Sequence, residues 1–109
     1  MFSFLNRKLD NAIAVNELDG LIGKINLIDI REVYEFAGGH IQTAKNIPMG
    51  ELLAHPEKYL NKAEKYYLIC QSGMRSGRTV SALQKLGYKV VNVKGGMGAY
   101  NGIGRKQYI

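Results

Sequence analysis

Cys70 is the only cysteine in the chain, and it opens the run Cys70-Gln71-Ser72-Gly73-Met74-Arg75-Ser76. A lone thiol, taken by itself, is a small apolar side chain with a weak S–H donor. Its neighbours argue for chemistry. Gln71, Ser72 and Gly73 are poor interior material, and Gly73 permits a tight curl that aims several backbone N–H groups inward. Arg75 adds a permanent positive charge with forked donors. Just upstream, Lys65-Tyr66-Tyr67-Leu68-Ile69 reads as a buried β-strand, and residues 77–86 just downstream read as an amphipathic helix. A thiol at that joint meets converging N–H groups and the positive end of a helix dipole. Both favour thiolate over thiol. The segment is a cradle for a sulfur nucleophile, or for an anion attached to it.

The elements that must hold this cradle alternate between short strands and helices, which argues for an α/β fold around a largely parallel sheet. Ala12-Ile13-Ala14-Val15 is a short apolar stretch that leads into a helix start at Asn16, with Asn16 as its cap and Asp19 at the third helical position. Residues 25–30 read as a central strand with a carboxylate, Asp29, near its end. A short helix over 33–37 precedes the Gly38-Gly39 break, and a short strand over 44–47 closes at Pro48. Residues 51–60 are helical in pieces, with Pro56 suited to a first helical position. After the 77–86 helix, Gly87 is a natural left-handed stop, residues 89–93 form a last strand, and a short helix follows near 97–101. The tail from 102 to 109 carries no pattern. In sheets of this kind ligands sit beyond the carboxyl ends of the strands. Three loops land there: the one after Asp29, the one holding Cys70, and the one holding Lys94-Gly95-Gly96.

Composition sets the frame. A chain of 109 residues reads as one domain, 1–109, large enough for a core without staples. One cysteine excludes an intrachain disulfide and a Cys-only metal site, and it fits a reducing compartment. The N-terminal Met1-Phe2-Ser3-Phe4-Leu5 is followed by Arg7, Lys8 and Asp10, too short and too charged for a signal peptide or a membrane span. A cytoplasmic protein is therefore expected, with no membrane partner. The net charge is +6, but the lysines occur singly, without the blocks or interleaved aromatics of a nucleic-acid surface. No nucleic-acid partner is expected. The charge mildly favours small anions approaching a cleft.

Taken together, these segments resemble a known family. The run Cys70 to Ser76 is similar to the active-site loop of single-domain rhodaneses, sulfurtransferases whose pattern is Cys-x-x-Gly-x-Arg followed by a small residue. Leu27-Ile28-Asp29-Ile30-Arg31-Glu32 and Glu35-Phe36-Ala37-Gly38-Gly39-His40-Ile41 resemble that family's Asp-x-Arg and Gly-His-Ile segments. Asn46-Ile47-Pro48 and Gly95-Gly96-Met97 follow in the family's order. The resemblance covers about residues 12–102. Two positions depart from it: Gln42-Thr43-Ala44 stand where Pro-Gly-Ala is common, and Tyr100 is the nearest aromatic to where a Trp is common.

The resemblance implies a rhodanese-like three-layer sandwich, with a mostly parallel five-stranded sheet flanked by helices. It implies that Cys70 is the catalytic nucleophile, taking a sulfane sulfur from a small anionic donor and passing it to a thiol or protein acceptor. Gln71, Ser72, Gly73, Met74, Arg75 and Ser76 would bind the sulfur, with Arg75 holding the anionic end of the donor. Asp29 and Arg31 would brace the cradle, and Arg31 has an equal claim to a place at the site mouth. His40 reads as a turn histidine bonded to nearby backbone. Glu32 and Glu35 read as solvated or locally paired charges, and Lys94 as a surface lysine or a source of positive potential beside the cleft. No metal or organic cofactor is implied.

Two other functions are compatible with such a scaffold. A phosphatase of the dual-specificity cell-cycle type, or an arsenate reductase, needs Cys, five residues and then Arg. Here the arginine arrives one residue early at Arg75, and position 76 is Ser. The shorter loop favours a single sulfur atom over a phosphoryl group. A non-catalytic interaction module would be expected to have lost the cysteine, which is present.

Overall fold

The computed structural model of the protein describes residues 11–106. Residues 1–10, on which the signal-peptide reading rests, and residues 107–109 lie outside the described part. Among the described residues no helix is long and apolar enough to cross a membrane.

Strands β1 (Ala12–Ala14), β2 (Asn26–Asp29), β4 (Lys45–Asn46), β5 (Lys65–Ile69) and β6 (Lys89–Lys94) form one sheet in the order β1-β6-β5-β2-β4. Every pairing in it is parallel. β5 sits at the centre, with Leu68 registered on Ile28 of β2 and on Asn92 of β6. Parallel strands buried on both faces read as near-continuous apolar runs, and Tyr66-Tyr67-Leu68-Ile69 is such a run. Successive side chains alternate between two cores. Ile28, Tyr66, Leu68 and Val90 pack with Val80 and Leu83 of the helix Met74–Lys85 and with Leu52 of the helix Met49–Ala54. Leu27, Ile69 and Val93 pack on the other side with Val15, Leu18, Met97 and Tyr100. The result is the three-layer α/β sandwich that the resemblance implies.

Several boundaries differ from the sequence reading, each for a physical reason. The helix after Cys70 begins at Met74 rather than at residue 77. Gly73 takes φ +95° as its N-cap, so the chain reverses within the turn and the helix starts at once. Asn16 does not cap a helix. A 3-10 helix over Val15–Gly20 forms instead, and Asn16 ties it to the chain's other end, donating to the Ala99 carbonyl (3.0 Å) and accepting from the Asn101 N–H (2.8 Å). The C-terminal tail is not patternless: Arg105–Lys106 forms β7, antiparallel to β3 (His40–Ile41). Two-residue strands carry no periodicity to read.

The short helix Gly96–Ala99, after β6, stands against the Cys70 turn. Its Met97 N–H donates to the Cys70 carbonyl (2.9 Å), and its Gly98 N–H donates to the Gln71 carbonyl (2.9 Å). Gly96 lies at φ +60°, and a Cβ there would overlap the carbonyl oxygens of Cys70 and Gln71. Gly96→Ala should therefore lower folding stability by about 2 kcal/mol or more, combining left-handed strain with the displacement of the turn. Urea denaturation reads this as a lower midpoint; an unchanged midpoint would mean that the turn yields freely.

Candidate active site

β5 delivers the chain to Cys70 at the carboxyl edge of the sheet, and the Cys70 side chain is fully buried. From there the backbone curls around the sulfur. The Gly73 N–H donates to Cys70 Sγ at 3.0 Å and the Ser76 N–H at 3.4 Å, while the Ser76 hydroxyl oxygen lies 3.3 Å from Sγ. Ser76 N–H is one of the first-turn donors that a helix cannot satisfy internally. Here it meets sulfur, at the positive end of a helix of 12 residues. Burial acts most strongly on Cys70 and pushes the thiol up. The contact with the Ser76 side chain and the hydrogen bonds from the Ser76, Gly73 and Ser72 amides together outweigh it, and hold Cys70 below the ordinary thiol value.

β6 fixes the loop from the side. Asn92 accepts from the Ser76 hydroxyl at 2.6 Å and donates through Nδ2 to the Gly73 carbonyl at 3.4 Å. Sequence reading passed over Asn92, although an amide inside the apolar run Val90-Val91-Asn92-Val93 is itself a signal of a polar partner.

The loop after β2 supplies the brace. Asp29 and Arg31 are both buried, and the guanidinium wraps the carboxylate: Nε lies 3.0 Å from Oδ1 and Nη2 2.9 Å from Oδ2. The Arg31 backbone N–H also donates to Oδ1 (3.1 Å). Arg31 also donates to the Gly39 carbonyl (2.7 Å) and to Oε1 of Gln71 (3.3 Å), so the brace reaches the Cys70 loop itself. Asn46 of β4 donates to the carbonyls of Asp29 and Arg31 (2.9 and 3.0 Å), a support the sequence did not reveal. His40 is buried, stacked on Phe36 at 3.7 Å, and donates its Nδ1–H to the Phe36 carbonyl (2.8 Å).

Arg75 lies in the first turn of the helix, but its guanidinium is occupied. Nη1 and Nη2 each lie 2.9 Å from one carboxylate oxygen of Glu35, a fork-on-fork pair. The Arg75 hydrogen bond pulls Glu35 down to about 2, against a smaller opposing effect of burial and with help from the Glu32 N–H. The sequence reading gave Arg75 to the donor and left Glu35 as a local charge. The structure joins the two, a pairing across 40 residues that no local pattern encodes. Ser72 and Met74 are exposed at the loop surface, Gln71 is exposed with its amide on Arg31, and Lys94 is exposed at the end of β6.

Comparison with known proteins gives the family and the fold. The rhodanese-like domain family matches residues 14–102. The Bacillus subtilis protein named "Putative sulfurtransferase YtwF" is 46% identical over 81 residues, covering 72% of this chain and 76% of that protein. "Uncharacterized protein YqhL" of the same organism is 41% identical over 80 residues, covering 72% of this chain and 63% of its own length. This chain thus spans about three quarters of the first relative and under two thirds of the second. The crystal structure of a rhodanese-like domain protein from Staphylococcus aureus superposes with a TM-score of 0.79 at 33% identity, covering 91% of this chain and 99% of that one.

The brace generates a stability prediction. Asp29→Ala would leave the Arg31 guanidinium buried without its counter-charge, which should cost about 3–5 kcal/mol. Urea unfolding of the variant measures it. A loss under about 1 kcal/mol, the scale of an exposed pair, would show that Arg31 simply swings out to water.

Proposed function

Because this chain belongs to the rhodanese-like domain family, we propose that it is a sulfurtransferase that carries a sulfane sulfur as a Cys70 persulfide. The observation that carries the reading is the convergence of the Gly73 N–H and the Ser76 N–H on one buried sulfur, at the N-terminus of a helix. An inert core cysteine needs neither donor, whereas a sulfur anion is stabilised by both.

The reaction follows in two steps. The Cys70 thiolate attacks the sulfane sulfur of the donor. The new bond joins Cys70 Sγ to that sulfur as the donor's own bond to it breaks, and the electron pair leaves with the rest of the donor. The outer sulfur of the persulfide then carries the negative charge. In this reading the loop from Gln71 to Ser76 receives it, and the first-turn amides of Met74 and Arg75 add to the donors already on Sγ. A second nucleophile, a thiol or a protein acceptor, next attacks the outer sulfur and Cys70 departs as thiolate. This is covalent catalysis by a ping-pong route, with no net redox change in the protein. Asp29 and Arg31 act at one remove by holding the loop through Gln71. The lone thiol suits a reducing compartment such as the cytoplasm.

Intact-mass spectrometry tests the reading. Incubation with thiosulfate or, separately, with cysteamine persulfide should add the mass of one sulfur atom, and cyanide should remove it as thiocyanate. Cys70→Ser should fold normally, gain no sulfur and release no thiocyanate. Sulfur uptake that survives in Cys70→Ser would overturn the assignment.

A further inference from the structure

Both arginines that touch the Cys70 loop or its brace are already matched by carboxylates. Arg31 is wrapped on Asp29 and closed off by the Gly39 carbonyl. Arg75 has both ends of its fork on Glu35. Glu35 in turn is steadied by the Glu32 N–H at 2.9 Å, so it is held in place from its own helix as well. The four groups sum to zero formal charge. An oxyanion arriving at Arg75 would have to share the guanidinium with a carboxylate that is ionised across the neutral range. The residues just before each member of this bridge are uncharged, while Arg78, one helical turn beyond Arg75, is exposed to solvent. Tyr34 precedes Glu35 and is 77% exposed, and Met74 precedes Arg75 and is 64% exposed. Lys94 is solvated at the end of β6, where salt screens it.

We propose that the Glu35–Arg75 bridge selects the donor class. The site takes sulfane sulfur carried on a thiol, as in an organic persulfide without net negative charge, and disfavours small oxyanion donors such as thiosulfate. Glu35 is the specificity-determining residue. The inference rests on the sulfurtransferase reading above and narrows it. With a persulfide R–S–SH the balance is simple. Cys70 Sγ bonds to the outer sulfur, the donor S–S bond breaks, its electron pair leaves as RS⁻, and the donor's own proton stays with the transferred sulfur or passes to solvent. No oxidant or reductant enters.

The test compares single-turnover loading of Cys70, followed by intact mass, with thiosulfate and with cysteamine persulfide. The wild-type protein should load faster from the persulfide, and its loading by thiosulfate should change little between low and high salt. Glu35→Gln keeps an oxygen acceptor for Arg75 but removes the competing charge. The ratio of thiosulfate to persulfide loading should then rise roughly tenfold or more, the scale of one charge-assisted hydrogen bond, and thiosulfate loading should become salt-sensitive. The double variant Glu35→Gln/Arg75→Gln should lose that gain, which identifies the freed guanidinium as its source. Two results would overturn the inference alone: wild-type loading from thiosulfate that equals or exceeds persulfide loading, or an unmoved ratio in folded Glu35→Gln. If Glu35→Gln does not fold, strong salt suppression of wild-type thiosulfate loading overturns it instead. Failure of both donors to load Cys70 would overturn the sulfurtransferase reading, and the inference with it.

Discussion

The chain must leave the central strand at Ile69 and begin a helix at Met74, and most of the site's chemistry depends on how that short reversal is closed. Backbone groups buried in such a turn need partners. The reversal sorts them by direction. Its N–H groups turn toward Cys70 Sγ, while the carbonyls of Cys70 and Gln71 turn away and are taken by the N–H groups of Met97 and Gly98. Gly73 at φ +95° makes this possible, and it also lets the two glycine-bearing turns touch: a Cβ on Gly73 would stand 3.1 Å from the Gly95 nitrogen. The N–H donors on the sulfur are thus a consequence of chain direction, and the Ser76 hydroxyl beside them is turned to Asn92.

Around this turn the parallel sheet brings three strand ends together. The end of β2 contributes a buried ion pair, the end of β5 the buried free thiol, and β6 an amide that anchors Ser76. A buried pair is a weak source of net stability, since desolvation offsets most of its attraction. Its use here is positional. Asp29 fixes the guanidinium, and the remaining arm of Arg31 reaches Gln71 in the loop. The Arg75–Glu35 pair does the same at the outer edge, tying the helix that begins at Met74 to the short helix Val33–Ala37. A site held by two neutralised ion pairs is rigid without being strongly positive.

Much of this was legible in the residue order. The run Lys65-Tyr66-Tyr67-Leu68-Ile69 marks a buried parallel strand with its observed boundaries, because both of its faces are apolar. The Gly after two polar residues marks the curl, and the spacing of Val80 and Leu83 marks the covering helix. What escaped reading is non-local or too short to have a period. Glu35 and Arg75 meet across 40 residues, Asn16 meets Ala99 across 83, and β3 and β7 are two residues each. The helix start was misplaced because Met74, Arg75 and Ser76 read as part of the active-site loop, whereas a left-handed Gly73 lets the helix begin at Met74. Asn16 was assigned to the obvious local role of an asparagine before a helix, and the tertiary partner prevailed.

The most direct measurement is titration of Cys70 by thiolate absorbance, in the folded protein and in the same protein unfolded in urea. The unfolded chain should titrate near the usual thiol value of about 8.5, and the folded protein clearly below it, because the Ser76 and Gly73 donors outweigh burial. The sign of the linkage follows: the thiolate stabilises the fold fully above the unfolded midpoint, and that contribution is lost as pH falls through the folded one. A folded midpoint at or above the unfolded one would contradict the claim that the loop is built around a sulfur anion.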